Sequence, residues 1–340
     1  MEPNLQPVVT ILITAFNAEK HIAETIESVL NQTFQDFELL IVDDGSADNT
    51  YVQILEFSDT RIRVIRNEQN KGTMESANIG LAHSRGKYIA RIDADDIALP
   101  IRLEKQVAFM EANPNVGFCG TFAEIFGTEK GLLSSPTIDA EIAVDLFFYN
   151  CFVHSSVIMR RSVLVQYQLF YRIPFSDDYD LWCQMSRVTQ VRNIPDILVR
   201  YRKHAAQITK THLSKFVEST NEVIATHLNT FFGDILSLDD LNLLHTVIIE
   251  PEAEPRYAEI LAVIDKLNFY NDKHRVRDGA VFLKGLKNKI VLHQMRATKK
   301  FHFSDFILIM RAHLRPLYEI LGFRYATKLI FYTFVAKRRK

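Results

Sequence analysis

The chain has 340 residues, 47% of them hydrophobic and 24% charged, a globular balance that excludes wholesale disorder and allows a large core. Its formal charge of −1 is a cancellation. Residues 273–340 hold 17 Lys and Arg against Asp278, Asp305 and Glu319, a net +14, so residues 1–272 carry −15. The three cysteines, Cys119, Cys151 and Cys183, form no CxxC or Cys/His cluster of zinc spacing, and so sparse a set suits a reducing compartment. The start, MEPN, lacks the pattern of a signal peptide, and the late apolar run at 329–336 is far short of the roughly 18–20 residues that span a bilayer. The expected location is cytoplasmic.

Residues 8–13 (VVTILI) predict a first strand. Asn17 is the predicted N-cap of a helix whose apolar face is Ile22, Ile26, Val29 and Leu30. Residues 37–42 (FELLIV) predict a second strand ending in the turn composition Asp43, Asp44, Gly45, Ser46. A third short strand is expected at 61–65, a helix at 73–84, and a strand at 88–92 that runs into Asp93. Pro100 then opens a helix through Leu103, Val107 and Met110, which Pro114 stops. This alternation predicts an α/β fold with a parallel sheet covered on both faces. Ligands of such sheets bind beyond the carboxyl ends of the strands, where Thr14, Phe16, Asn17, Asp43, Asp44, Asp93, Asp95 and Asp96 fall. Residues 116–210 are mixed, and 211–340 read as mostly helical.

No GxG occurs, so the Rossmann dinucleotide fingerprint is absent, and Gly80, Gly86 and Lys87 have the wrong spacing for a P-loop. Three acidic clusters remain. Asp93, Asp95 and Asp96 follow an apolar strand, and carboxylates so close repel unless a cation intervenes. Hard oxygen ligands suit Mg²⁺ or Mn²⁺ shared with substrate phosphates. The plainer reading is an acidic turn capping the next helix. Asp44 could accept from a base N–H beside Gly45; the plainer reading is an ordinary Asp-Gly turn. Asp177, Asp178 and Asp180 flank Trp182, and a carboxylate against an apolar wall can serve as a general base; the plainer reading is a helix start.

Together, residues 9–50, 70–96, 150–161, SDDYDLW at 176–182 and YRKH at 201–204 resemble family 2 glycosyltransferases of the GT-A fold, over about residues 7–210. The resemblance implies an inverting transfer of a sugar from a nucleotide sugar, with UDP expected, to a hydroxyl of a glycan or lipid-linked acceptor of the bacterial cell surface. It places Thr14, Phe16, Asn17, Asp44 and Asp93 at the nucleotide, with Phe16 standing where the family often has Tyr. It makes Asp95 the direct ligand of Mg²⁺ or Mn²⁺, with Asp96 and His204 as further candidates. Asp178 takes the place of the catalytic base, and His154, Asp177 and Trp182 lie on the acceptor side. Gln184 stands where Arg is frequent, which leaves a charge role there open.

A GT-A domain over residues 1–210 and a helical region over 211–340 are therefore expected. In 273–340, basic and aromatic residues at helical spacing suit a helix lying on an anionic membrane surface; packing on the acidic body, or a homo-oligomer contact, is the alternative. No nucleic-acid partner is expected. A sugar nucleotidyltransferase would want a Gly-rich, basic loop near the N-terminus, and residues 15–21 contain no Gly. A non-catalytic nucleotide-sugar binder would have no need to keep Asp44, Asp93, Asp95 and Asp178 together.

Overall fold

The computed structural model describes residues 6–204 and 211–249, with scattered helical positions between 259 and 285. Residue 210, where the change of organisation is expected, and the basic stretch 273–340 apart from Gly285 lie outside the described residues. The chain divides into two compact units, Met1–His227 and Leu228–Lys340.

The first unit is built on β1 (Val9–Ala15), α1 (Ile22–Leu30), β2 (Phe37–Asp43), α2 (Thr50–Leu55), β3 (Ile62–Arg66), α3 (Thr73–His83), β4 (Tyr88–Arg91), β5 (Ile97–Ala98) and α4 (Arg102–Ala112). It continues through β6 (Val116–Gly127), β7 (Gly131–Leu133), α5 (Asp139–Asp145), a single 3₁₀ turn (His154–Ser156), β8 (Ile158–Arg160), α6 (Arg161–Gln166), α7 (Asp177–Val188) and β9 (Gln190–Lys203). Helix α8 (Leu213–Phe232) follows, and the second unit contains α9 (Leu238–Ile249), whose Asp240 pairs with Lys266 at 2.7 Å. No helix among the described residues is long and apolar enough to cross a membrane.

The sheet runs β3-β2-β1-β4-β8-β6-β9-β5, with β7 beside β6. Its first four strands are parallel, as the alternating pattern predicts. Every residue of β2 is buried and β1 is buried at all but one position, which is why both read as continuous apolar runs. Burying each Leu or Ile there stabilises the fold by roughly 1.5–3 kcal/mol. Beyond β4 the sheet is mixed. Strand β8 is antiparallel to β4 and β6, β6 is parallel to β9, and β5 closes the edge antiparallel to β9. Strand β9 was hidden by Pro195, which falls in an irregularity where the pairing steps from Thr121–Ile194 to Phe122–Ile197. A bulge is one of the few places where a strand accepts proline.

Asn17 is not the N-cap of α1; His21 occupies that position without a side-chain cap. Asn17 instead sits at φ +49°, with its N–H on Ser46 Oγ (3.0 Å) and its Oδ1 accepting from Ala47 N–H (3.0 Å). The loop after β1 is thereby laced to the loop after β2, a tie reinforced by Ala18 N–H on Thr50 Oγ1 at 2.7 Å. At Gly80 any Cβ would collide with the Leu12 side chain, so glycine lets α3 lie close on β1.

Candidate active site

The carboxyl ends of β1, β2 and β4 bring the predicted nucleotide residues to one edge of the sheet. Phe16 leaves β1 with its ring exposed, available for stacking. Asp44 is buried, and its carboxylate accepts from Asn67 Nδ2 (2.8 Å), Lys71 N–H (2.8 Å) and Gly72 N–H (2.9 Å). It thus folds residues 67–72 over the end of β2. Gly45 beside it has φ +69°, and a Cβ there would stand 2.7 Å from the Gln69 carbonyl carbon. Asp43 is buried beneath, paired with Arg66 at 3.2 Å, and the Arg66 guanidinium lies 4.1 Å over the Tyr51 ring.

The organising cation is Arg91, the last residue of β4, which has no exposed surface. Its Nη1–H donates to Leu12 O (3.0 Å), Nη2–H to Thr14 Oγ1 (3.2 Å) and Asp93 Oδ1 (3.4 Å), and Nε–H to His154 Nε2 (3.2 Å). His154 Nδ1 lies 3.3 Å from Asp93 Oδ1, and its Nε2 is 3.1 Å from the Tyr171 hydroxyl. With Arg91 Nε–H on Nε2, the Nδ1–H of His154 points at Asp93, and although burial works against an imidazolium, Asp93 raises the His154 pKa. Burial works against the Asp93 charge, but His154 and Arg91 outweigh it and hold the carboxyl below its ordinary range. One guanidinium therefore joins the loop predicted at the nucleotide, the D-x-D turn and the predicted acceptor segment. The sequence hid it as a charge inside an apolar strand.

Asp95 meets His204, with Nε2 and Oδ2 2.8 Å apart, so the chain end of β9 reaches the D-x-D turn. Burial, then repulsion from Asp93, raise its pKa. Arg202 ties the same elements, donating from Nε to Asp95 O (2.7 Å) and from its backbone N–H to Asp96 Oδ1 (2.7 Å). The His21 ring lies 5.6 Å from that of His204, and burial followed by Arg202 lowers its pKa. Arg202 lies in the YRKH segment but was given no role of its own there, and His21 carried no motif signal. Asp96 is fully buried, and its Oδ2 has no hydrogen-bond partner among the described residues; burial, then Asp95 and Asp93, push it well up. As it stands Asp96 anchors β9 and presents no ligand to solvent. Asp95 and His204 offer one oxygen and one nitrogen donor, a set that fits a divalent cation taking its other ligands from a diphosphate and water. Among the described residues no group of three such side chains forms a complete cage.

Asp177 and Asp178 open α7. Asp178 accepts from Asn150 Nδ2 at Oδ2 (2.8 Å) and from the Tyr179 N–H at Oδ1 (2.7 Å), which orients it and leaves lone pairs on both oxygens. Burial raises its pKa, with the facing His154 pulling the other way. Burial and then Asp178 push Asp177 up to about 6, and its Oδ2 is buried without a hydrogen-bond partner among the described residues. Asp180 turns away: Arg172 grips it at 2.6 and 2.8 Å and Gln184 donates to it at 2.7 Å. Gln184 thus has an orienting task that needs no charge. Trp182, expected on the acceptor side, is a core residue without exposed surface; it stacks on Phe118 at 4.9 Å and backs His154 at 6.1 Å.

A parallel half, a D-x-D turn after its fourth strand, and an acidic helix start on the mixed half give the architecture of the GT-A fold. The comparisons agree. A profile described as glycosyl transferase family 2 matches residues 10–167. The chain is 34% identical over 257 residues to an uncharacterized glycosyltransferase of Haemophilus influenzae, spanning 70% of this chain and 80% of that one. It is 32% identical over 216 residues to the Escherichia coli UDP-Glc:alpha-D-GlcNAc-diphosphoundecaprenol beta-1,3-glucosyltransferase WfgD, with 62% and 82% covered. The crystal structure of S. aureus TarS 1–349 in complex with UDP-GlcNAc has the same fold, with a TM-score of 0.57 at 15% identity over 86% of this chain and 93% of that one. So does the mannosyltransferase PcManGT from Pyrobaculum calidifontis in complex with GDP-Man and Mn²⁺, with a TM-score of 0.52 at 16% identity over 93% and 89%. The chain belongs to glycosyl transferase family 2.

Proposed function

We propose that this glycosyltransferase transfers a hexose, with inversion, from a UDP-sugar to a hydroxyl of a lipid-linked glycan. UDP-glucose is the first donor to test. The observation that carries this reading is the Asp93–His154 contact, held by Arg91, which joins the D-x-D turn to the segment facing Asp178. A donor seated against Phe16 and the D-x-D turn and an acceptor against His154 would then meet in front of Asp178. The relatives of known activity support the choice of UDP and of a lipid-linked acceptor, since WfgD is named for both.

In the reaction the acceptor oxygen attacks the anomeric carbon, the bond from that carbon to the diphosphate oxygen breaks, and the hydroxyl proton passes to Asp178. An acceptor hydroxyl is a poor nucleophile until a carboxylate takes its proton, and a raised pKa makes Asp178 a better base. A single displacement needs no covalent nucleophile, in keeping with one oriented carboxylate. Asp95 and His204 would hold a divalent cation, which when bound stabilises the charge that grows on the departing diphosphate. Asn150 keeps Asp178 aimed, and the Asp44-folded loop shapes the base pocket.

The domain division at 210 and a peripheral site at the inner face of the membrane, through residues 273–340, belong to the same proposal. Two variants test it. Asp178→Asn should abolish transfer and leave UDP affinity unchanged. Asp95→Ala should abolish transfer and weaken metal-dependent UDP binding. Near-normal turnover by either would overturn the assignment.

A further inference from the structure

Strand β9 delivers His204 to the D-x-D turn, and the end of that strand is held in an unequal way. Strand β5 pairs with β9 only at Val199 and Arg200. Beyond Arg200, β6 is the strand paired with β9 among the described residues, through Phe126–Arg202 and Gly127–Lys203. A metal ligand keeps its affinity only where surrounding groups orient it. The orientation of His204 therefore depends on what β6 does at its end.

Three successive residues of β6 and the turn after it grip this part of β9. The Phe126 ring lies 4.3 Å from the guanidinium carbon of Arg200 and 4.3 Å from that of Arg202, two cation–π contacts on alternate residues. Gly127 has φ +98°, and a Cβ there would stand 2.5 Å from Lys203 O. Glycine takes this conformation and allows this approach without strain. Thr128 then turns two donors on the same oxygen: its N–H and its Oγ1–H each reach Lys203 O at 2.9 Å. Both lone pairs of that carbonyl are thereby engaged. The side-chain bond is exposed, where water could replace it, so it adds little to stability; what it fixes is the direction of the peptide. One residue earlier, Arg202 N–H is held by Asp96 Oδ1 at 2.7 Å. The backbone leading into His204 is thus held from two sides, and the imidazole meets Asp95 at 2.8 Å.

We propose that the turn after β6 is a clasp that sets His204 for the cation, with Gly127 and Thr128 as its positioning residues. The inference rests on the cation site proposed above at Asp95 and His204. Neither Gly127 nor Thr128 falls in the segments that carry the family resemblance. Their role comes from the place where β6 ends against β9.

The readout is the gain in UDP affinity brought by Mn²⁺, measured calorimetrically on the full chain against a chelated control. His204→Ala should reduce that gain. Thr128→Val should reduce it about threefold, Gly127→Ala about tenfold, and Thr128→Ser should keep it. UDP affinity under chelation should equal that of the parent in every variant. In the His204→Ala background Thr128→Val should bring no further loss, because the clasp acts through the imidazole. Thr128 is exposed, so its replacements leave no cavity, and they decide the matter alone if Gly127→Ala fails to fold. The clasp is overturned by a parent-like gain in Thr128→Val or in folded Gly127→Ala, or by an equal loss in Thr128→Ser. Weaker UDP binding under chelation, or a further loss of the same size in the His204→Ala background, overturns it as well. A parent that gains nothing from Mn²⁺, or a gain that His204→Ala leaves intact, would instead sink the cation site of the proposed function.

Discussion

Replacing Arg91 by Lys keeps the charge and removes the fork. The guanidinium reaches four acceptors spread over β1, the D-x-D turn and His154, at 3.0 to 3.4 Å. A single ammonium cannot span them, so about two charged hydrogen bonds are lost, most plainly those to Leu12 O and His154 Nε2, which keep only Ile92 N–H (3.3 Å) and the Tyr171 hydroxyl (3.1 Å). Each such bond is worth about 1.5–3 kcal/mol, giving roughly 3–6 kcal/mol in all. In a unit of this size 1 kcal/mol moves Tm by about 2–4 °C, so thermal unfolding followed by circular dichroism should fall by about 5–20 °C. His154 would also lose the donor that fixes its tautomer, so Asp93 and the acceptor wall shift together. In the surviving folded enzyme kcat should drop by about 10²-fold, the scale of a 1 Å misplacement, with UDP affinity changed little. The pH profile should gain a dependence on His154 ionisation. A Tm within about 2 °C of the parent, together with an unchanged profile, would refute Arg91 as the organiser of the site.

Asp177→Asn tests the half-buried acid. With a folded pKa of about 6 against an ordinary 3.8, the stability it contributes is complete below the unfolded value and is lost as pH rises through the folded one. The Asn variant should therefore melt higher than the parent above about pH 7, by up to about 3 kcal/mol before solvent screening, and alike near about pH 4; equal curves at both would contradict this. Gly45→Ala forces a Cβ against the Gln69 backbone at positive φ, so it should cost about 1–3 kcal/mol of stability and weaken UDP binding through the Asp44 loop. An unchanged UDP affinity by calorimetry would detach that loop from the nucleotide.

The parts of the molecule that could be read from sequence are those where a single local rule decides. Strands β1 and β2 are buried on both faces, so a bare apolar run was enough. Thr14, Asp93 and Asp95 were expected together because ligands of such sheets collect after the strand ends, and Arg91 does draw Thr14 and Asp93 to one point. What stayed hidden depends on distant partners. Strand β9 carries Pro195 and several charges, and becomes a strand through its pairing with β6 and β5. Arg91 carried no signal within the strand expected at 88–92; its role comes from four acceptors in three segments. Trp182 beside three aspartates suggested a wall for the acceptor, yet the helical twist turns it into the core while Asp178 faces Asn150. Asn17 had the composition of a cap, but the cross-link to Ser46 and Ala47 claims its polar groups.

The most direct test of the central claim is release of UDP from a panel of UDP-sugars with Mn²⁺ or Mg²⁺, which needs no acceptor. The account predicts slow hydrolysis of one UDP-hexose that is abolished by chelation and by Asp95→Ala. Absence of turnover and of metal-dependent binding for every UDP-sugar, or hydrolysis indifferent to Asp95, would contradict it.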